Sequence, residues 1–173
     1  MDLYNNEVMQ QIGERLLERK ETLAVAESVT SGAIQLGIST IKDASKFFHG
    51  GITAYNVAQK FHHLKVEPIH AIAVNCVSKQ VAEQMALHVA GMFSGNWSVA
   101  ITGYAVPAPE SDNEVFAWYA ISYNGKVLES GKINPDKDET LNLQFYFANE
   151  VCSRLKSAIE NADQPKVPNH AFL

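Results

Sequence analysis

Apolar residues recur along this chain with two periods, and the switches between them predict the order of elements. Val8, Ile12 and Leu16 follow one another at i, i+4 and i+8, with Met9 and Leu17 widening the stripe. That spacing predicts an amphipathic helix over about 3–19, its Glu14, Arg15, Glu18 and Arg19 facing water. The short apolar run Thr22 to Ser28 predicts a buried strand, which empties into the polar turn Ser28-Val29-Thr30-Ser31-Gly32. Ile34, Ile38 and Ile41 then return to helical spacing, Gly50 to Tyr55 reads as a second strand, and a short helical piece follows around 57–63.

A helix over about 78–92 carries Val81, Ala82, Met85, Val89 and Met92, with Ser78 in the capping position. Trp97 to Gly103 is a third strand and turn. Val115–Tyr123 and Lys126–Ile133 alternate on either side of Asn124-Gly125, a dipeptide suited to the left-handed positions of a tight hairpin. Leu141, Phe145, Ala148, Val151, Leu155 and Ile159 predict a last helix over about 138–160. Helices interleaved with strands, plus one hairpin, give an α/β fold: a three-layer α/β/α sandwich with a mixed sheet. We assign residues 1–163 to one domain and expect 164–173 to form a loose C-terminal tail.

Composition narrows the function. The 173 residues include 14 basic and 19 acidic side chains, a net charge of −5, which argues against a nucleic-acid binder. Arg15, Arg19 and Arg154 are the only arginines, so a phosphate site built on bidentate guanidinium has few candidates. Cys76 and Cys152 stand alone without metal-ligand spacing and read as free thiols of a reducing cytoplasm. Neither a leader-like opening nor an apolar run of membrane-spanning length is present, so the expected protein is cytoplasmic and not bound to a membrane.

Candidate chemistry collects where strands end: Ser28, Thr30 and Ser31 after the first, Tyr55 and Asn56 after the second, Thr102, Gly103 and Tyr104 after the third. In open α/β sheets ligands occupy the crevice beyond the carboxyl ends of strands. Each of these residues is equally at home as a turn residue or helix cap. Ser45 and Lys60 could form a nucleophile and base if the fold brought them together, although their spacing does not require it. The six histidines are scattered, and neither a metal set nor a Gly-rich phosphate loop is evident. We therefore expect no metal and no cofactor.

Four ordered segments carry a resemblance. Leu23-Ala24-Val25-Ala26-Glu27-Ser28-Val29-Thr30-Ser31-Gly32 is similar to a strand ending in Ala-Glu-Ser-Cys-Thr-Gly-Gly. Ser45 to Lys60, through Phe48-His49-Gly50-Gly51 and Tyr55-Asn56, is similar to a Ser-Ser…Phe…Gly-Gly…Tyr-Ser-Asn…Lys block. Val77-Ser78 to Met85-Ala86 and Thr102-Gly103-Tyr104-Ala105-Val106-Pro107 match a helix start and a Thr-Gly-Ile-Ala-Gly-Pro turn. Over about residues 5–160 the chain resembles the C-terminal amidohydrolase domain of the competence/damage-inducible CinA family, which includes nicotinamide mononucleotide deamidases.

The resemblance implies hydrolysis of a carboxamide to a carboxylate and ammonia by a Ser/Lys pair. By position, Ser45 is the implied nucleophile and Lys60 its base, with Ser28 and Tyr55 as supporting hydroxyls. Thr30, Gly50, Gly51, Asn56, Thr102 and Gly103 are implied to hold the substrate, the Gly50-Gly51 amides facing the oxyanion. The expected partner is a small amide or nucleotide, and homo-oligomerisation is left open. The family's larger first domain is not among these residues. Val29 replaces a Cys, Ser31 and Val106 each replace a Gly, Asn142 stands at an Arg position, and the loop after Pro107 is shorter and holds Glu110, Asp112 and Glu114. These changes fall on the parts that would hold a nucleotide. An alternative reading is a non-catalytic ligand-binding or assembly module on the same scaffold.

Overall fold

The computed structural model describes residues 3–135 and 143–162. The five strands are β1 (Leu23–Glu27), β2 (Phe48–Thr53), β3 (Trp97–Tyr104), β4 (Phe116–Tyr123) and β5 (Lys126–Ile133), and they form one sheet in the order β2-β1-β3-β4-β5. β1 runs parallel to β2 and β3, whereas β4 and β5 are added antiparallel. Helices α1 (Asn6–Arg19), α2 (Ala33–Ser39) and α6 (Leu143–Ala162) cover one face. Helices α3 (Val57–Leu64), α4 (Pro68–Ala73) and α5 (Lys79–Phe93) cover the other. The mixed sheet between two helical layers is the expected α/β sandwich.

Side-chain size decides how closely each layer approaches. Toward α1 and α6 the strands turn Leu23, Val25, Trp97, Val99, Ile101, Tyr119 and Ile121, a thick layer that meets Ile12, Leu16, Phe147, Val151 and Leu155. Toward α5 they turn Ala24, Ala26, Ala100 and Ala120, which meet Ala82, Met85, Ala86 and Val89. Alternation along a strand sends successive residues to opposite faces, so large and small residues sort by parity. The small face lets α5 sit close enough for Ser98 Oγ to donate to the Ala86 carbonyl at 2.6 Å, while sharing a 2.7 Å hydrogen bond with Ser122.

Boundaries differ from the sequence expectation at two places. β2 starts at Phe48, and Gly50-Gly51 lie inside it. Pairing slips between Leu23 and Ala24, which face Phe48 and Gly50, so His49 is the extra residue of a bulge. Gly50 has φ +124°, and a Cβ on Gly51 would lie 2.4 Å from the Val25 carbonyl oxygen, so both glycines serve sheet geometry. α4, which the periodicity did not predict, opens with Pro68 and is capped by Glu67, whose carboxylate accepts from the amides of Ile69 and His70. The hairpin forms as expected, with Asn124 at φ 46° and Gly125 at φ 75°. The proposed tail and Asn142 lie outside the described residues, as does Leu141.

Candidate active site

Because β1, β2 and β3 are parallel, the segments that follow them meet at one end of the sheet. There a cavity of about 500 Å³ is walled by Ser28 and Val29 after β1, Tyr55 and Asn56 after β2, and Lys60 on the first turns of α3. Asn75, Cys76 and Val77 between α4 and α5 close a second side, Thr102 to Val106 a third, and Gln144 of α6 a fourth.

Lys60 organises the site. Only 1% of it is exposed, although lysine is among the residues least often buried. Its Nζ donates to the carbonyls of Ala54 at 2.8 Å and Tyr55 at 3.3 Å, and to Ser28 Oγ at 2.8 Å. No carboxylate is among these partners. Burial therefore dominates and lowers the lysine pKa to about 8, against a smaller opposing pull from Cys76. An ammonium needs all three of these acceptors. A neutral amine keeps its two N–H groups on the carbonyls and can turn its lone pair to Ser28, which sets the pair up for proton transfer.

Ser45 is not part of this arrangement. It is exposed on a short 3₁₀ turn, Ala44–Lys46, ahead of β2, whereas Lys60 follows β2. The six-residue strand between them spans ~20 Å, and their side chains lie toward opposite ends of the sheet. Ser28, expected to support the reaction, is the serine that meets the lysine.

The other expected site residues divide. Tyr55, Asn56, Thr102 and Gly103 line the cavity. The Tyr55 hydroxyl shares a 2.7 Å hydrogen bond with Ser31 Oγ and does not reach Lys60, which touches only the Tyr55 carbonyl. Asn56 caps α3 through the Gln59 amide. Thr102 donates from its hydroxyl to the Cys76 carbonyl at 2.9 Å and so pins the wall that carries the thiol. Thr30 is buried with its hydroxyl on Glu27 Oε2 at 2.5 Å and does not line the cavity. Gly50 and Gly51 do not line it either, which removes their amides from the oxyanion role.

Sequence reasoning passed over Glu27 and the 75–77 segment. Glu27 is fully buried and accepts from Thr30 Oγ1 and from the amides of Gly32, Ile34 and Gln35. It thereby fills the N-terminus of α2 with a carboxylate, the charge a helix start favours. A lone acid at the end of an apolar strand, shortly before a predicted helix, is the signal that could have found it. Asn75 and Cys76 both have positive φ, in a turn whose position depends on the unpredicted α4. Burial pushes the Cys76 thiol pKa up, with Lys60 opposing. Ser31, at φ 52°, occupies a left-handed position, where glycine is the less strained choice.

A family model described as the CinA C-terminal domain matches residues 5–149. The chain belongs to that family. A CinA-like protein of Prochlorococcus marinus is 40% identical over 111 residues, covering 64% of this chain and 26% of that protein. One of Nostoc punctiforme is 31% identical over 150 residues, covering 85% of this chain and 34% of the relative. The chain thus spans about a quarter to a third of the length of these CinA-like relatives. Among solved structures, the competence or damage-inducible protein from Enterobacter asburiae superposes with a TM-score of 0.83 at 21% identity, covering 90% of this chain and 98% of that one. A CinA superfamily protein from Klebsiella pneumoniae gives 0.84 at 19%, covering 93% and 99%. At that identity the likeness to these CinA structures is one of fold. Among the described residues no helix is long and apolar enough to cross a membrane.

Proposed function

We propose that this CinA-family domain is an amidohydrolase of the nicotinamide mononucleotide deamidase type, with Ser28 as nucleophile and Lys60 as general base. The observation that carries the reading is the 2.8 Å contact between Ser28 Oγ and a buried lysine whose remaining partners are neutral carbonyls. Serine is a weak nucleophile until a neighbouring base removes its proton, and a desolvated lysine can be that base near neutral pH. In the reaction Ser28 Oγ bonds to the carboxamide carbon as its proton passes to Lys60 Nζ. The tetrahedral intermediate collapses, the C–N bond breaks, and Lys60 returns the proton to the departing nitrogen, which leaves as ammonia. Water, deprotonated by the same amine, then cleaves the seryl ester and releases the carboxylate. A cytoplasmic setting suits the two buried free thiols.

Ammonia release from a panel of primary amides tests the assignment. Ser28→Ala is expected to abolish turnover while Ser45→Ala keeps it within about twofold. Equal turnover in wild type and Ser28→Ala overturns it. Absence of ammonia from every amide would favour the binding-module alternative.

A further inference from the structure

Among the described residues of the cavity wall none but Lys60 is charged, and the polar groups beyond the Ser28–Lys60 pair are those that pair with an amide. Asn56, Asn75 and Gln144 supply carboxamides, and Tyr104 supplies a phenol that accepts from Asn75 Nδ2 at 2.9 Å. Gln144 gives its N–H groups to the Val29 carbonyl at 3.1 Å and to Ser31 Oγ at 3.3 Å. What it can offer a ligand is an acceptor oxygen, which welcomes an amide N–H and repels a phosphate oxygen. Lys60 is the one cation among the described residues of the wall, and its three N–H positions are taken. Val106 stands at the rim, 69% exposed, and the chain runs from it into a loop bearing Glu110, Asp112 and Glu114. Of these, Glu114 has a cation nearby, Lys132 at 4.0 Å.

We propose that the site takes a small carboxamide that carries no phosphate or other anionic group, and discriminates against its phosphorylated counterpart. This inference rests on the amidohydrolase reading. A phosphate entering the cavity would lose water without meeting an unoccupied cationic donor on the described wall, and the loop that continues from the rim residue Val106 adds negative charge nearby. A neutral or cationic amide escapes both costs, so specificity comes as much from what is repelled as from what is bound.

Nicotinamide riboside and nicotinamide mononucleotide differ by the phosphate alone and make the matched pair for a test. Binding is measured by calorimetry on the Ser28→Ala chain at fixed ionic strength, and ammonia release on the wild type. The riboside is expected to bind at least tenfold tighter, with kcat/KM ordered the same way. Val106→Arg, which adds a cation at an exposed rim position, is expected to narrow that ratio. Equal or tighter binding of the mononucleotide, or no binding of either compound, overturns the proposal. Because binding is read without the nucleophile, a clear preference unaccompanied by ammonia release in the wild type overturns the amidohydrolase reading and leaves the specificity inference standing.

Discussion

The two ends of the sheet each withdraw a charged side chain from water and treat it in opposite ways. At the end where β1 begins, the Glu21 carboxylate accepts from Arg19 Nε at 2.6 Å, Trp97 Nε1 at 2.6 Å and Tyr123 Oη at 2.7 Å. Burial raises its pKa, but the hydrogen bonds from Arg19, Tyr123 and Trp97 and the Arg19 charge outweigh that, so the net shift is downward. At the end where β1 finishes, Lys60 meets neutral oxygens only, and burial prevails. A charge met by its opposite is locked in one protonation state over the physiological range. A charge met only by dipoles can be surrendered near neutral pH, and that freedom is what a general base requires.

The comparison breaks most directly if Lys60 need not lose its proton. Lys60→Arg keeps a cation that cannot deprotonate in a protein, and Lys60→Met keeps much of the volume without the charge. Both are expected to lower kcat/KM for ammonia release by on the order of 10³-fold, with circular dichroism confirming a folded chain. In the wild type, kcat/KM should rise with pH in proportion to the neutral amine and level off above about 8. A profile flat from pH 6 to 9 would mean that lysine ionisation does not gate the reaction.

Which residues would meet was less legible than which residues mattered. Ser28 and Tyr55 stood out in the sequence because polar groups closing an apolar strand point to the crevice of an α/β sheet, and Lys60 stood out through the family resemblance. Pairing the lysine with Ser45 ignored strand polarity. Residues before β2 and after it lie at opposite ends, whereas residues after β1 and after β2 share an end because the two strands are parallel. The Asn124-Gly125 hairpin was readable since its two positive φ values are a local demand. Gly50-Gly51 were matched to a substrate-holding role because their real constraints, the Phe93 ring 3.0 Å from a Cβ on Gly50 and the Val25 carbonyl beside Gly51, belong to other elements. The six residues of α4 were too few for helical periodicity to register.

Glu27 sharpens the comparison from the stability side, since its carboxylate faces only neutral donors and is held as a helix cap. Glu27→Ala leaves the Gly32, Ile34 and Gln35 amides without their acceptor, and a cost of roughly 3 kcal/mol is expected by urea denaturation. Glu27→Gln keeps one acceptor oxygen and should lose about half as much. A loss in Glu27→Ala no larger than that of an exposed substitution would mean that α2 starts without this cap.

Glu21→Gln addresses the locked end and should cost about 1 kcal/mol at neutral pH with ammonia release unchanged. The sign of its pH dependence follows from the downward shift. The folded chain holds the Glu21 proton less tightly than the unfolded chain, so the stabilisation is complete above the ordinary carboxylate value of 4.5 and lost as pH falls through the folded one. The melting temperatures of wild type and variant are therefore expected to converge on acidification. A gap constant with pH would assign the cost to lost geometry and not to charge.

Cys76 offers the smallest effect and the finest discrimination, because it shares a wall with Ser28 and is intrinsically the better nucleophile. The residue is 6% exposed, and burial raises its thiol pKa more than the nearby Lys60 lowers it. The thiol therefore remains protonated at neutral pH and acts as an apolar panel, while the serine with the direct lysine contact is activated. Cys76→Ala is expected to change kcat/KM by less than about threefold and to leave the pH profile in place. Iodoacetamide should label the native thiol slowly and the urea-unfolded thiol at the rate of an ordinary cysteine. Fast native labelling that also removes activity would show a thiolate inside the cavity, and the division between a charged end and a proton-yielding end would then have to include a second titrating group beside Lys60.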